Sequence, residues 1–468
     1  MRTSSPSVSE PLTIIGGGLA GCEAAWQAAQ TGIAVDLYEM RPHKRGPAHE
    51  TDMLAELVCS NSLRGVALEN AVGLLKEELA RCDSLIIGAA RACAVPAGGA
   101  LAVDRARFGA LVEARLAAHP KVTIHREELT ALPAAGRVIV ACGPLPSEPL
   151  AAAIDALVGG RLHYYDAAAP IVDRDSLDES VMYRKSRYDK GAGDDYLNIP
   201  LDAATYRQFV ADLRLLPKHE PKEFERDVAT GKVPYFEGCL PIEELAARGE
   251  DTLRFGPLKP VGLRDPRTGQ TPHAVVQLRN ENASGSALNL VGFQTRLTWP
   301  AQKAAFGKLP GLAGAEWLRL GVMHRNTFID SPRALDRDLR LRAQPRFFFA
   351  GQITGAEGYV EAAACGLIAG NAAAREIAGL APVAVPADTA LGAVLAHLGN
   401  TTTTDFQPAN VTWSYFSAPG VSVKKLDKRE KRRLLAQRAL DRIDDFARAL
   451  GRSSEVPRER ETSVLAVG

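Results

Sequence analysis

Short apolar runs alternate with small-residue stretches at the start of the chain. LTII, Leu12–Ile15, predicts a buried strand, and CEAAWQAAQTG, 22–32, predicts an alanine-rich helix ending at Gly32. A second apolar run, IAVDLY at 33–38, predicts another strand and closes on Glu39. GGGLAG lies between the first strand and the helix, so Gly16, Gly18 and Gly21 fall in the G-x-G-x-x-G spacing, and Glu39 follows 18 residues after the last of them. Each position has a physical reason. Gly16 permits a tight turn, Gly18 admits a pyrophosphate to the backbone, and Gly21 lets the helix pack closely on the strand. The helix N-terminus presents free N–H groups and a partial positive charge to phosphates. Glu39 accepts from both ribose hydroxyls and repels a 2′-phosphate. The candidate cofactor-binding residues are therefore Gly16, Gly17, Gly18, Leu19, Ala20, Gly21 and Glu39.

Two later runs extend the pattern. RVIVACG at 137–143 predicts a third strand, and RFFFAGQITGAEGYVEAAACGLIAGNAAA at 346–374 predicts an aromatic strand, a glycine-rich loop and a long small-residue helix. This resembles large FAD proteins of the glutathione-reductase type, whose chain leaves the nucleotide fold and returns to it. Gly351 and Gln352 stand where those proteins often carry Gly-Asp. No second G-x-G-x-x-G unit occurs, so NAD(P)H is expected to bind transiently over the flavin. The expected fold class is α/β, an FAD-binding Rossmann-type domain with an inserted α/β domain. The boundaries expected are 11–180 and 321–380 for the two parts of the FAD domain and 181–320 for the insertion, whose strands include HAVVQLRN and ALNLVGF. A C-terminal extension follows at 381–468.

Composition changes the picture at few points. With 56 Lys+Arg against 55 Asp+Glu, net charge argues against a polyanionic partner for the molecule as a whole and leaves room for a local patch. One patch stands out at 423–450, where Leu435, Ala439, Ile443, Phe446 and Leu450 recur at helical spacing behind a basic first half. Lys431, Arg432 and Arg433 there are either a solvated helix face or RNA-contact residues. The seven cysteines are scattered with no C-x-x-C, which argues against a metal site or a disulfide framework. No run approaches 18 apolar residues and the first ten residues are polar, so a soluble, cytoplasmic protein is expected.

PAHETDMLAELVCSNSLRG, VPAGGALAVDR, PYFEGCLPIEE, GPLKPVGLRDP, VGFQTRLTWPAQK, GVMHRNTFID and FFFAGQITGAEGYVEAAACGLIAG, with the N-terminal glycine segment, resemble the folate- and FAD-dependent tRNA (uracil-5-)-methyltransferase family. The related GidA-type flavoproteins share the two glycine segments. The resemblance implies that 5,10-methylenetetrahydrofolate donates a carbon, that reduced FAD supplies electrons and NAD(P)H restores them. It implies as acceptor a tRNA uridine in the T-arm, which becomes 5-methyluridine. It also implies catalytic roles for two thiols, Cys239 as the nucleophile and Cys59 as a second thiol near the uracil. Arg64 would lower the Cys59 pKa if close in space, and Glu237, Glu243 and Glu244 are candidate proton acceptors beside Cys239. His324, Arg325 and Asn326 are folate candidates, whereas Cys22, Cys142 and Cys365 fit a packing role. The alternatives are a GidA-like RNA-binding flavoprotein of other modification chemistry and a small-molecule flavin oxidoreductase.

Overall fold

The computed structural model describes residues 10–160, 162–167, 169–219, 240–321, 323–402, 406–416 and 427–452, without the side chains of 162–167, 323–325 and Lys428. A five-stranded parallel sheet lies at its centre, in the order Phe347–Phe349, Val138–Val140, Leu12–Ile15, Val35–Tyr38, Val122–His125. The strands Leu12–Ile15, Val138–Val140 and Phe347–Phe349 are nearly continuous apolar runs, and every residue of the three but Thr13 is buried. The first helix, Leu19–Gln30, begins three residues before the alanine run, since Leu19, Ala20 and Gly21 already follow Gly18 into helical geometry. It packs on the long returning helix, Tyr359–Ile377, through backbone. A Cβ on Gly366 would lie 2.3 Å from the carbonyl oxygen of Ala20, so the small residues of both helices are what allow this approach.

After Val140 the chain leaves the sheet through an antiparallel ribbon of Leu162–Ala167 with Met323–Phe328. Beyond it lies a six-stranded sheet, ordered Tyr183–Arg184, Tyr196–Leu201, Ala274–Asn280, Ala287–Leu290, Ile171–Asp173, Trp317–Arg319, with every pairing antiparallel. Its separate core is mainly aliphatic around a group of rings: Phe293 sits 5.8 Å from Phe209 on the helix Ala203–Leu215 and 5.3 Å from Phe306 on the helix Trp299–Phe306.

The last helix, Lys428–Ala449, opens with a capping box of Asp427 and Glu430, which satisfies amide groups the first turn leaves free. Leu435, Ala439, Ile443, Phe446 and Leu450 are buried, as their spacing predicts. Its basic half is tied to the body: Glu69 accepts from Arg433 at 2.8 Å and Arg429 at 3.2 Å. No helix among the described residues is long and apolar enough to cross a membrane.

Candidate nucleotide and thiol site

A cavity of about 440 Å³ opens where the parallel strands end at their carboxyl edge, the place where such sheets bind ligands. Gly16, Gly18, Leu19 and Ala20 form one wall with Glu39. Gly17 and Gly21 stand behind it: the Gly17 N–H donates to the Glu39 carboxylate at 2.9 Å, and Gly21 packs on the Gly16 carbonyl. No side chain caps the first helix, so its leading N–H groups face the cavity free for an anion.

Glu39 is held more firmly than its sequence position suggests. Its carboxylate accepts from the Arg41 side chain at 2.7 Å and the Arg41 N–H at 3.1 Å, and Arg41, only 1% exposed, also reaches Glu56 at 2.9 Å. Burial alone would raise the Glu39 pKa, but the hydrogen bonds and charge of Arg41, with the Gly17 N–H, hold it below the ordinary carboxyl range. A depressed carboxyl contributes stability above its unfolded pKa of about 4.3 and loses it as pH falls through the folded value. Glu39→Gln therefore costs about 1–3 kcal/mol at pH 7, because Arg41 loses one carboxylate while keeping Glu56 and the Thr51 carbonyl. Urea midpoints of parent and variant converge as pH drops below about 4; a gap independent of pH would contradict this account.

The opposite wall brings in the returning strand and helix. Gly351 and Gln352 line the cavity, and the Gln352 amide donates to Glu357 at 2.6 Å. Tyr359 opens the returning helix and fixes the loop that precedes Ser62–Gly65. Its phenol oxygen accepts from the Cys59 N–H at 2.8 Å and the Ser60 N–H at 3.0 Å. The Cys59 carbonyl accepts from Arg319 at 2.9 Å and Arg105 at 3.1 Å. Cys59 itself is half-buried and faces the cavity. Arg64 lines the same space, but its guanidinium is engaged by Glu361, which also accepts from the Val411 N–H.

Other candidate residues separate. Asn326 is buried on the ribbon and lines the cavity, two residues after His324 on the same strand; the side chains of His324 and Arg325 lie outside the described residues. Cys239 and Glu237 also lie outside them. The described chain resumes at Leu240, and the Ile242 N–H donates at 2.7 Å to the carbonyl of Gln294, a cavity residue. Glu243 is buried against Thr295 and the Arg296 N–H, and Glu244 pairs with Arg296 at 2.6 Å, so both have structural partners. Arg433 docks its helix on Glu69, Arg432 sits 5.9 Å from the Trp413 ring, and Lys431 is exposed. Cys22 and Cys365 are buried in the core, and Cys142 is partly buried, packing against that core as well as lining the cavity. Sequence reading also passed over Tyr359, Arg41, Arg105, Arg279 and Arg319. Their only signal is a charge or phenol beside a glycine turn or on an apolar strand.

A parallel sheet with a glycine turn, an uncapped helix and an acid at the second strand end defines a nucleotide-binding α/β protein. The family model described as glucose inhibited division protein A matches residues 11–381. The chain is 56% identical over 452 residues to the methylenetetrahydrofolate--tRNA-(uracil-5-)-methyltransferase TrmFO of Pelobacter propionicus, covering 96% of each. It is 55% identical to the protein so named from Geobacter sulfurreducens, over 93% of this chain and 98% of that one. Among solved structures, Aquifex aeolicus GidA aligns with a TM-score of 0.70 at 17% identity, over 96% of this chain and 74% of that one, a likeness of fold. The chain belongs to the TrmFO family of methylenetetrahydrofolate--tRNA-(uracil-5-)-methyltransferases, within the wider GidA family.

Proposed function

We propose that this protein methylates C5 of a tRNA uridine with 5,10-methylenetetrahydrofolate as carbon donor, and that the acceptor is the T-loop uridine that becomes 5-methyluridine. The carrying observation is that one cavity holds both the nucleotide turn and the Cys59 thiol, in a chain this similar to proteins of that name. FAD fits the turn, since the space above Gly18 is open to 4 Å and the adjacent helix end is uncapped. The amides at Gly18–Ala20 would hold its pyrophosphate, Glu39 its ribose, and Gly351 and Gln352 would flank it from the returning strand. When bound, FAD supplies the electrons that complete the methyl group, and NAD(P)H restores them.

The chain's own residues do the rest. C5 of uracil is a weak nucleophile, and a thiolate adding to C6 turns the ring into an enolate-like species reactive at C5. We assign that addition to Cys239 and place Cys59 beside the same uracil as the second thiol. Asn326, with His324 and Arg325 on its strand, is the folate candidate. Lys431, the member of the basic triplet without a protein partner among the described contacts, is the best supported RNA contact of the three. The test is mass analysis of an unmodified tRNA transcript incubated with protein, methylenetetrahydrofolate and NAD(P)H. One uridine gains a methyl group, lost when the folate is omitted. An unchanged transcript, with the protein yellow and reducible, would favour a flavin oxidoreductase acting on small molecules.

A further inference from the structure

Three arginines from three elements converge on three consecutive residues. Arg319, on the edge strand Trp317–Arg319, and Arg105, at the start of the helix Arg105–Ala117, both donate to the Cys59 carbonyl. Arg279, on the strand Ala274–Asn280, donates to the Ser60 hydroxyl at 2.9 Å and the Asn61 side-chain oxygen at 3.1 Å. Arg279 is 6% exposed and lines the cavity. Among the described residues, one carboxylate pairs with the set: Glu281, 2.7 Å from Arg105. One Glu281 oxygen and the Arg319 Nε have no hydrogen-bond partner. Three cations stand against one anion in a place largely shielded from water.

Such an imbalance is costly unless an anion completes it. Burial depresses Arg279 and Arg319, and the Arg105 charge adds to this, so the cations repel one another. The remaining groups around the turn do not supply the missing charge. Arg64 and Glu361 cancel as a pair, Lys76 donates to the Leu63 carbonyl at 2.8 Å, and the buried Tyr359 phenol is pushed far above its ordinary pKa, first by burial. The group in their midst that can become an anion and that faces the cavity is the Cys59 thiol.

We propose that Arg105, Arg279 and Arg319 hold Cys59 as a thiolate in the resting protein, the thiol having lost its proton to water through the cavity. The arginines are positioning residues, set by carbonyl and side-chain bonds to the Cys59–Asn61 turn, and they act on the sulfur through their field. The inference deepens the methyltransferase reading, on which its biological use rests, and it holds whether the thiolate attacks carbon or takes a proton.

Alkylation of the full-length protein by iodoacetamide from pH 5 to 10, with peptide mapping of Cys59, measures the ionisation directly. The midpoint falls at least one pH unit below the ordinary thiol value of about 8.5. Arg279→Met and Arg319→Met each raise it by about one unit, a roughly tenfold loss of rate near pH 7, while Arg279→Lys, which keeps the charge but not the two-point grip on Ser60 and Asn61, restores part of the shift. A parental midpoint at or above about 8.5 overturns the proposal, even if neither Met variant folds, and so do unmoved midpoints in folded variants. Neither folate nor RNA is needed for this measurement. A low midpoint in a protein that fails to methylate tRNA therefore supports the thiolate and sinks the methyltransferase reading. An ordinary midpoint in an active protein does the reverse.

Discussion

Replacing Cys59 by alanine lowers tRNA methylation at least about a thousandfold, the scale of losing a group that takes direct part in the chemistry. The flavin spectrum and its bleaching by NAD(P)H survive. The expectation rests on what holds the loop. Tyr359 grips the N–H groups of Cys59 and Ser60, and Arg105 and Arg319 grip the carbonyl of Cys59, so its backbone anchors do not pass through sulfur. Alanine keeps each of these bonds. Cys239→Ala gives an equal loss if it adds to C6. A tRNA carrying 5-fluorouridine at the target position separates the two roles, because fluorine cannot leave as a proton does and the thioether persists. We expect the adduct on Cys239; an adduct on Cys59 exchanges the assignments. Undiminished methylation by both variants would mean that uracil is activated without cysteine.

Gly18→Val folds normally yet binds FAD at least about a hundredfold more weakly, a loss of roughly 2.7 kcal/mol or more, whereas Gly21→Val does not fold. The two glycines lie three residues apart and face opposite constraints. Gly18 has φ −75° and ψ −171°, backbone that valine adopts without strain, and a Cβ there meets nothing within 4 Å. That open space is the ligand's, so a branched side chain displaces phosphate and not protein. A Cβ on Gly21 would lie 1.8 Å from the Gly16 carbonyl oxygen, inside the turn itself. Neither backbone can yield without separating helix from strand, and overpacking of this kind costs several times the 1–3 kcal/mol typical of cores. Thermal melts and flavin absorbance of the two purified variants decide the matter. Full flavin content in Gly18→Val would place the pyrophosphate elsewhere.

The nucleotide fold was legible because its signals are local. Strand Leu12–Ile15, Glu39 and the returning strand Phe347–Phe349 each sit where short-range periodicity and glycine spacing put them. The stripe on the last helix was legible for the same reason. The surroundings of Cys59 were not. Tyr359 is 300 residues away in sequence, and Arg319 is 260. Each reaches the loop through tertiary packing that no window of sequence encodes. Arg64 shows the converse error: five residues from Cys59, it has its charge taken up by Glu361. The basic run was legible only as charge, since charge density does not reveal that Arg429 and Arg433 share Glu69.

The place of Phe347–Phe349 in the central sheet has a consequence for how the protein is made. Val138–Val140, with all three side chains buried, pairs on one side with Leu12–Ile15 and on the other with that late strand. On the ribosome, Val138–Val140 emerges roughly 200 residues before its second neighbour. At synthesis rates of about 5–20 residues per second, its edge stays open for roughly 10–40 s. A bare apolar edge is a template for pairing with other chains. The strands of the antiparallel sheet and the ribbon at its base all lie between those two strands in sequence and are synthesised during that interval. Ribosomes stalled between the two strands therefore carry a nascent chain with an unprotected sheet edge, open to pairing with other chains.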